Sequence, residues 1–253
     1  MRAPSGPGDG AIQAVDLART LAILPVLALH ATARLLPPGQ ALPGLWDHLQ
    51  RNGAYGVSLF FMISGFLITR TLDRGRDGAF QARWGAFYAR RAGRILPLLA
   101  LDLLLGLALW RCFQNDPPGF GYSLNLPLNA ADPGFWLPLL FFAFNWARAL
   151  WALNDWGSIG VHWAVLWSLA VEEQFYLVYP LVLRALGRVR NLVLFLVFLL
   201  AAGFGWRWFV YLQPLNNGLD WKWGSFGYFD QLGLGIGLYF AQKEWGGRLA
   251  GRP

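Results

Sequence analysis

The chain has 253 residues, of which 56% are hydrophobic and only 14% charged, where a soluble domain carries about a quarter charged residues. Fourteen Trp, 19 Phe and a mean hydropathy of +0.38 exclude a water-soluble domain and a long disordered tail. A single cysteine, Cys112, excludes an internal disulfide framework and a Cys-based zinc cluster. The composition leaves an integral membrane protein of net charge +7.

Crossing a bilayer takes about 20 mostly apolar residues, within a range of about 17 to 25. Six segments meet that requirement in chain order: Val15 to Leu36, Gly53 to Leu72, Ile95 to Arg111, Val161 to Leu183, Asn191 to Leu212 and Phe226 to Gln242. The third and sixth lie at the short limit. A further apolar stretch, Gly134 to Ala147, covers 14 residues, the length of a re-entrant or interfacial segment. The fold class expected is therefore all-α, a polytopic transmembrane helix bundle, with residues 1–14 as an N-terminal tail, 15–242 as the membrane domain and 243–253 as a C-terminal tail. The Pro- and Gly-rich stretches Met1 to Gly10 and Asn115 to Gly134 read as a disordered start and an outer loop.

The basic residues set the expected orientation. The link between the second and third spans holds Arg70, Arg74, Arg76, Arg83, Arg90, Arg91 and Arg94 against Asp73 and Asp77. Arg184, Arg188 and Arg190 follow the fourth span, Lys243, Arg248 and Arg252 follow the sixth, and Arg2 precedes the first, which places 14 of 21 basic residues on one side. The positive-inside rule makes that side cytoplasmic and puts both termini inside. A seventh crossing at Gly134 to Ala147 would separate the Arg184 cluster from the Arg70 to Arg94 link, so the charge count favours the re-entrant reading. Ala31-Thr32-Ala33 has the form of a signal-peptide cleavage site, but Asp9 and Asp16 spoil a basic leader, and cleavage would leave an odd number of spans.

Ionisable side chains in hydrocarbon are costly and mark functional candidates. Within or beside the spans these are Asp16, Arg19, His30, Asp102, Glu172, Glu173 and Asp230. Arg19 and His30 stand 11 residues apart, which on a helix returns to within about 20° of one face, roughly 16 Å further along the axis. Asp16 lies about one turn below Arg19, and Pro25 is able to kink the helix between the stripe's members. Glu172 and Glu173 stand about as far above Arg184, roughly 16 Å, and His30 only a few ångströms higher above its own cytoplasmic end. If the two helices pack together, carboxylate and imidazole meet, and a carboxylate on one ring nitrogen fixes the tautomer and frees the other nitrogen as a general base. The plainer readings are a hydrogen-bonded packing histidine, structurally paired glutamates and an Arg cluster that serves topology alone. Asp102 and Asp230 fit interhelical pairs, for instance with Arg207 or Arg111, and receive no role. His162, at the outer end of the fourth span, is the reserve base. Phosphate-loop, hydrolase-elbow and zincin motifs are absent from the sequence, no metal site is expected, and Gly233 with Gly237 forms a GxxxG helix-packing face.

Four blocks in order carry a resemblance: VDLARTLAILPVLALH with Arg19 and His30, GVSLFFMISGFLI from Gly56 to Ile68, FYARRAGRILP from Phe87 to Pro97, and WSLAVEEQFYLVYP from Trp167 to Pro180. Together they resemble the acyltransferase family 3 membrane proteins, which transfer acyl groups, commonly acetyl, from acyl-CoA to envelope sugars or exported small molecules. The resemblance implies that His30 is the catalytic histidine, Arg19 its motif partner, and Glu172 and Glu173 the family's paired glutamates. It also implies that Arg91 and Arg94, with Arg90 beside them, sit where cytoplasmic acyl-CoA enters. Ser58 stands where the second block commonly has an acid. Family members usually carry about ten spans against the six expected here, which implies a truncated or split member or a fragment of a longer chain, with a helix partner as one candidate source of the missing spans.

The scheme implied needs no permanently bound cofactor. Acyl-CoA, acetyl-CoA by preference, is the donor substrate, its phosphates drawn to the Arg cluster. A glycan or small-molecule hydroxyl is the acceptor, the bilayer is the setting in the cell inner membrane, and no nucleic acid is involved. A proton-coupled transporter also places acids and histidines at mid-membrane, and a non-catalytic family member keeps the fold and loses the chemistry; both alternatives stand at this level.

Overall fold

The computed structural model describes residues 9–35, 44–45, 47–48, 52–73, 84–112, 133–146, 166–186, 189–213 and 224–250. They are almost entirely helical, with no β-strand among them. In chain order the helices are α1 (Asp9–Leu35), α2 (Gly53–Leu72), α3 (Trp84–Cys112), α4 (Pro133–Leu140), α5 (Leu166–Leu186), α6 (Val189–Tyr211) and, after a 3₁₀ turn at Ser225–Tyr228, α7 (Phe229–Ala250). Charges at their ends suit the helix dipole: Arg70 closes α2, Arg184 closes α5, and Asp230 stands in the first turn of α7. The hydroxyls of Thr69 and Thr71 donate to the carbonyls four residues back, at 2.7 and 2.8 Å, a back-bond within the helix itself.

Two compact units divide the chain. The first comprises residues 1–71, 192–203 and 228–253. Here α2 approaches α1 and α7 so closely that glycine is required. A Cβ on Gly56 would strike the Ala22 carbonyl, and one on Gly53 the side chain of Leu29 and the carbonyl of Pro25. One on Gly65 would strike the Leu232 carbonyl, and one on Gly235 the carbonyl of Met62. Small residues let apolar helices gain van der Waals contact that lipid would otherwise match. Gly233 faces Leu199 of α6, which bears out the packing role expected of that glycine. Phe61 meets Tyr228 at 4.9 Å between ring centres, and Phe66 meets Tyr239 at 5.7 Å.

The second unit comprises residues 72–191 and 204–227. Its buried residues include Phe87, Leu139, Phe144, Phe175, Tyr176 and Tyr179. Trp146, Trp206 and Phe226 form a triangle of edge contacts with ring centres 5.3 to 5.8 Å apart.

By length and composition two helices are able to cross a membrane, α2 and the Asn191–Tyr211 part of α6. The latter has a hydropathy of 2.0 with only 11% of its apolar window buried in the protein, and its Val193, Leu194, Val197 and Phe198 face outward. Leu17, Leu21, Leu24 and Leu27 of α1 are exposed at helical spacing. Outward apolar stripes of this kind suit a lipid solvent better than water. The other four expected spans fall on helices that carry more charge: Asp16 and Arg19 on α1, whose apolar part is Leu17–Leu29, Arg90, Arg91, Arg94 and Asp102 on α3, Glu172 and Glu173 on α5, and Asp230, Lys243 and Glu244 on α7.

Helix limits exceed the apolar runs in several places. Helix α1 begins at Asp9, inside the expected tail; α3 begins at Trp84, so Arg90, Arg91 and Arg94 are helical rather than part of a link; α7 continues to Ala250. Ala, Arg, Lys and Glu are good helix formers, so a helix continues through polar sequence where an apolar window ends. Of the short stretch Gly134 to Ala147, residues 134–140 belong to the eight-residue α4, a turn follows at Phe141 and Phe142, and Ala147 lies outside the described residues.

Candidate functional site

The second unit holds a cavity of about 240 Å³ between α3, α5 and the turn after α4. Helix α3 contributes Tyr88, Arg91, Ala92, Ile95 and Leu96, a spacing of three and four residues that defines one helical face. Helix α5 contributes Glu173, Gln174, Tyr176 and Leu177, and the turn contributes Phe141 and Phe142. Most of this lining is apolar, with a carboxylate, a guanidinium, an amide and two phenols set into it, the usual make-up of a small-molecule site.

Arg91 is half-buried, its guanidinium carbon 3.2 Å from the centre of the Tyr176 ring and 5.6 Å from that of Phe87. Tyr176 in turn donates its hydroxyl to Oε1 of Glu172. Oε1 of Glu173 is buried with no hydrogen-bond partner among the described residues, which leaves it as a ready acceptor at the cavity. Tyr88, seven residues before the expected third span, donates to the Leu177 carbonyl at 3.1 Å. Burial raises its phenol above the ordinary value of 10.0, so it serves as a neutral donor.

A polar cluster backs the turn. The side-chain amide of Gln174 donates from Nε2 to the Phe142 carbonyl and, at 2.9 Å, to Oδ1 of Asn145. Its Oε1 accepts from Ser225 Oγ at 2.5 Å and from Trp146 Nε1 at 3.1 Å. Asn145, fully buried, also donates to Ser225 Oγ at 2.9 Å. Phe142 adopts φ +51°, a left-handed conformation that costs a bulky residue about 1–3 kcal/mol unless its surroundings hold it.

In the first unit, Arg19 and His30 both lie on α1, with Pro25 between them. Arg19 is half-buried, 5.9 Å from the Phe60 ring centre, with Nε unpartnered among the described residues. The side chains of His30 and Asp16, and the whole of His162, lie outside the described residues, so the expected meeting of His30 with Glu172 or Glu173 does too.

Of the expected site residues Arg19, His30, Arg90, Arg91, Arg94, Glu172 and Glu173, the cavity brings together Arg91 and Glu173, with Glu172 joined through Tyr176. Arg90 and Arg94 are exposed, off the cavity face of α3. Arg207, offered above as an ion-pair partner, donates to the Gly227 carbonyl at 2.6 Å. Sequence reasoning missed Tyr88, Tyr176, Gln174, Asn145 and Ser225. The available signal was uncharged polar residues within apolar stretches, Gln174 beside the glutamates and Asn145 in FFAFNWA. Among the described residues no group of three or more His, Cys, Asp or Glu is placed to hold a metal ion.

Comparison with known proteins gives a match to the model of an acyltransferase domain over residues 12–252. The chain is 28% identical over 174 residues to a putative peptidoglycan O-acetyltransferase YrhL of Bacillus subtilis, covering 68% of this chain and 24% of that protein. It is 27% identical over 199 residues to O-acetyltransferase OatA of Staphylococcus aureus, covering 75% and 28%. It is 27% identical over 190 residues to "Regulator of hypoxia-inducible factor 1" of Caenorhabditis elegans, covering 70% and 35%. The chain thus spans about a quarter to a third of the length of these curated relatives. No solved structure matches.

Proposed function

The chain belongs to the acyltransferase 3 family, and from that premise we propose that it is a non-aminoacyl acyltransferase that moves an acetyl group from acetyl-CoA to a hydroxyl of an envelope glycan or exported small molecule. The observation that carries this reading is the second-unit cavity. Two motif residues far apart in the chain, Arg91 and Glu173, line one largely apolar space, as an amphipathic donor with an anionic end requires. The names of the bacterial relatives, both O-acetyltransferases, support the O-linked acceptor.

In this reading His30 is the general base, supported by its motif position 11 residues after Arg19. It takes the acceptor hydroxyl proton while the oxygen attacks the thioester carbonyl. The carbon–sulfur bond breaks, and the imidazolium returns its proton to the leaving thiolate, so the products are an O-acetyl ester and free CoA. General-base assistance of this kind is worth about 10²- to 10⁴-fold. Arg19 stabilises negative charge along the path. Arg91 holds the donor, while the exposed Arg90 and Arg94 raise its local concentration by long-range attraction. The bundle crosses the inner membrane six times with both termini cytoplasmic, as the basic residues favour.

Membranes from cells expressing wild-type protein and His30→Ala, supplied with radiolabelled acetyl-CoA, test the reading. Label should pass to glycan or small-molecule product with the wild type and fall at least about a hundredfold with His30→Ala, with equal amounts of each inserted. Full activity of His30→Ala removes it as the base. Substrate flux without dependence on acetyl-CoA returns the protein to the transporters.

A further inference from the structure

We propose that Gln174 is a positioning residue: its four hydrogen bonds clamp the left-handed turn at Phe142 as the wall of the cavity that faces Glu173. A glutamine amide has two donor hydrogens and two acceptor lone pairs in its side chain, and here all four are used, on Phe142, Asn145, Ser225 and Trp146. No other residue type supplies two donors and two acceptors from one planar group on a stem of that length, Asn being one methylene shorter. The carbonyl that Gln174 grips belongs to the one described non-glycine residue with positive φ, so the bond falls where the backbone most needs an outside hold. Phe141 and Phe142 line the cavity together with Glu173, the residue next to Gln174 in α5. One helical turn therefore presents the carboxylate to the cavity and fixes the position of the wall beside it.

The neighbours show the clamp as built rather than incidental. Asn145 is fully buried and is held on both sides of its amide, by Gln174 and by Ser225. The Trp146, Trp206 and Phe226 triangle packs beside the same cluster, a Cβ on Gly224 would strike Trp206, and Ser225 is itself buried. A low local dielectric strengthens such a network when every member is satisfied.

The consequence for ligand binding rests on the proposed transfer reaction, whereas the clamp itself does not, and two measurements separate them. Gln174→Glu keeps the shape and the acceptor side but turns an acceptor towards the Phe142 carbonyl; Gln174→Met keeps the length and removes all four bonds. In detergent-purified full-length protein, backbone hydrogen exchange of the Phe141 to Trp146 segment should quicken about tenfold or more in both variants, with α1 and α2 unchanged. The KM for acetyl-CoA should rise about tenfold while kcat stays within about threefold of wild type. Unchanged exchange overturns the clamp. Faster exchange with unchanged KM, or loss of folded protein in both variants, reduces Gln174 to a structural residue and overturns the positioning role. If wild-type protein transfers no acetyl group, the proposed reaction fails and the exchange measurement alone decides the clamp.

Discussion

The guanidinium carbon of Arg91 lies 3.2 Å from the centre of the Tyr176 ring, and the hydroxyl of the same tyrosine donates to Glu172. Tyr176 thereby joins the R-x-x-R block of α3 to the glutamate block of α5, two motifs separated by more than half of the second unit's sequence. A cation over an aromatic ring gains from about 0.5–1 kcal/mol in water to about 2 kcal/mol where water is excluded; the Tyr176 ring is buried and Arg91 half-buried. Arg91 is thus held at the cavity instead of sampling solvent as its neighbours on α3 do.

Replacing the ring tests this anchor. Tyr176→Leu removes the face under Arg91 and should raise the KM for acetyl-CoA roughly five- to thirtyfold, the equivalent of about 1–2 kcal/mol. Tyr176→Phe keeps the face and should leave KM within about threefold. It removes a donor from Glu172, so its cost should fall on stability, about 1–3 kcal/mol in a chemical unfolding series. Equal KM values for the two variants would show that the ring face contributes nothing to donor binding.

Arg91, Arg90 and Arg94 should separate by salt. Charges exposed to solvent act over a screening length of about 8 Å at physiological ionic strength and about 3 Å at 1 M. Arg90→Ala and Arg94→Ala should therefore raise the KM for acetyl-CoA at low salt and converge on wild type at about 1 M, where that screening is strongest. Arg91 lines the cavity, so the Arg91→Ala deficit should persist at high salt. A persistent deficit in Arg94→Ala, measured by the same initial-rate series, would place Arg94 in direct contact with the donor.

The helices were legible because apolar residues dominate each run, most continuously over Gly53–Leu72 and Asn191–Tyr211, and hydropathy reports an outward apolar face. Their true ends were not, since Phe87 to Gly93 and Lys243 to Ala250 are helical although neither stretch is an apolar run. The motif residues stood out as charges in apolar sequence, yet charge alone gives Arg91 and Arg94 the same weight. What separates them is the partner that meets one of them, Tyr176, supplied by another helix. Gln174 and Asn145 escaped for a related reason: attention to ionisable groups passes over uncharged amides, whose importance appears only when every donor and acceptor has been matched.

In the first unit α2 and α7 approach closely at two glycines, where a Cβ on Gly65 would meet the Leu232 carbonyl and one on Gly235 the carbonyl of Met62. A methyl group at either position strikes backbone rather than a flexible side-chain end, so relief requires the two helices to part. Gly65→Ala and Gly235→Ala should each destabilise the detergent-purified protein by about 1–3 kcal/mol in thermal or denaturant unfolding. Gly205→Ala is the control: it sits exposed on α6 with nothing within 4 Å of the added carbon, and alanine's helix propensity should make it neutral or stabilising by up to about 1 kcal/mol. Because one separation of α2 from α7 relieves both contacts, the double variant should cost less than the sum of the singles, a coupling of about 0.5 kcal/mol or more. Strict additivity would mean that the two glycines admit independent adjustments.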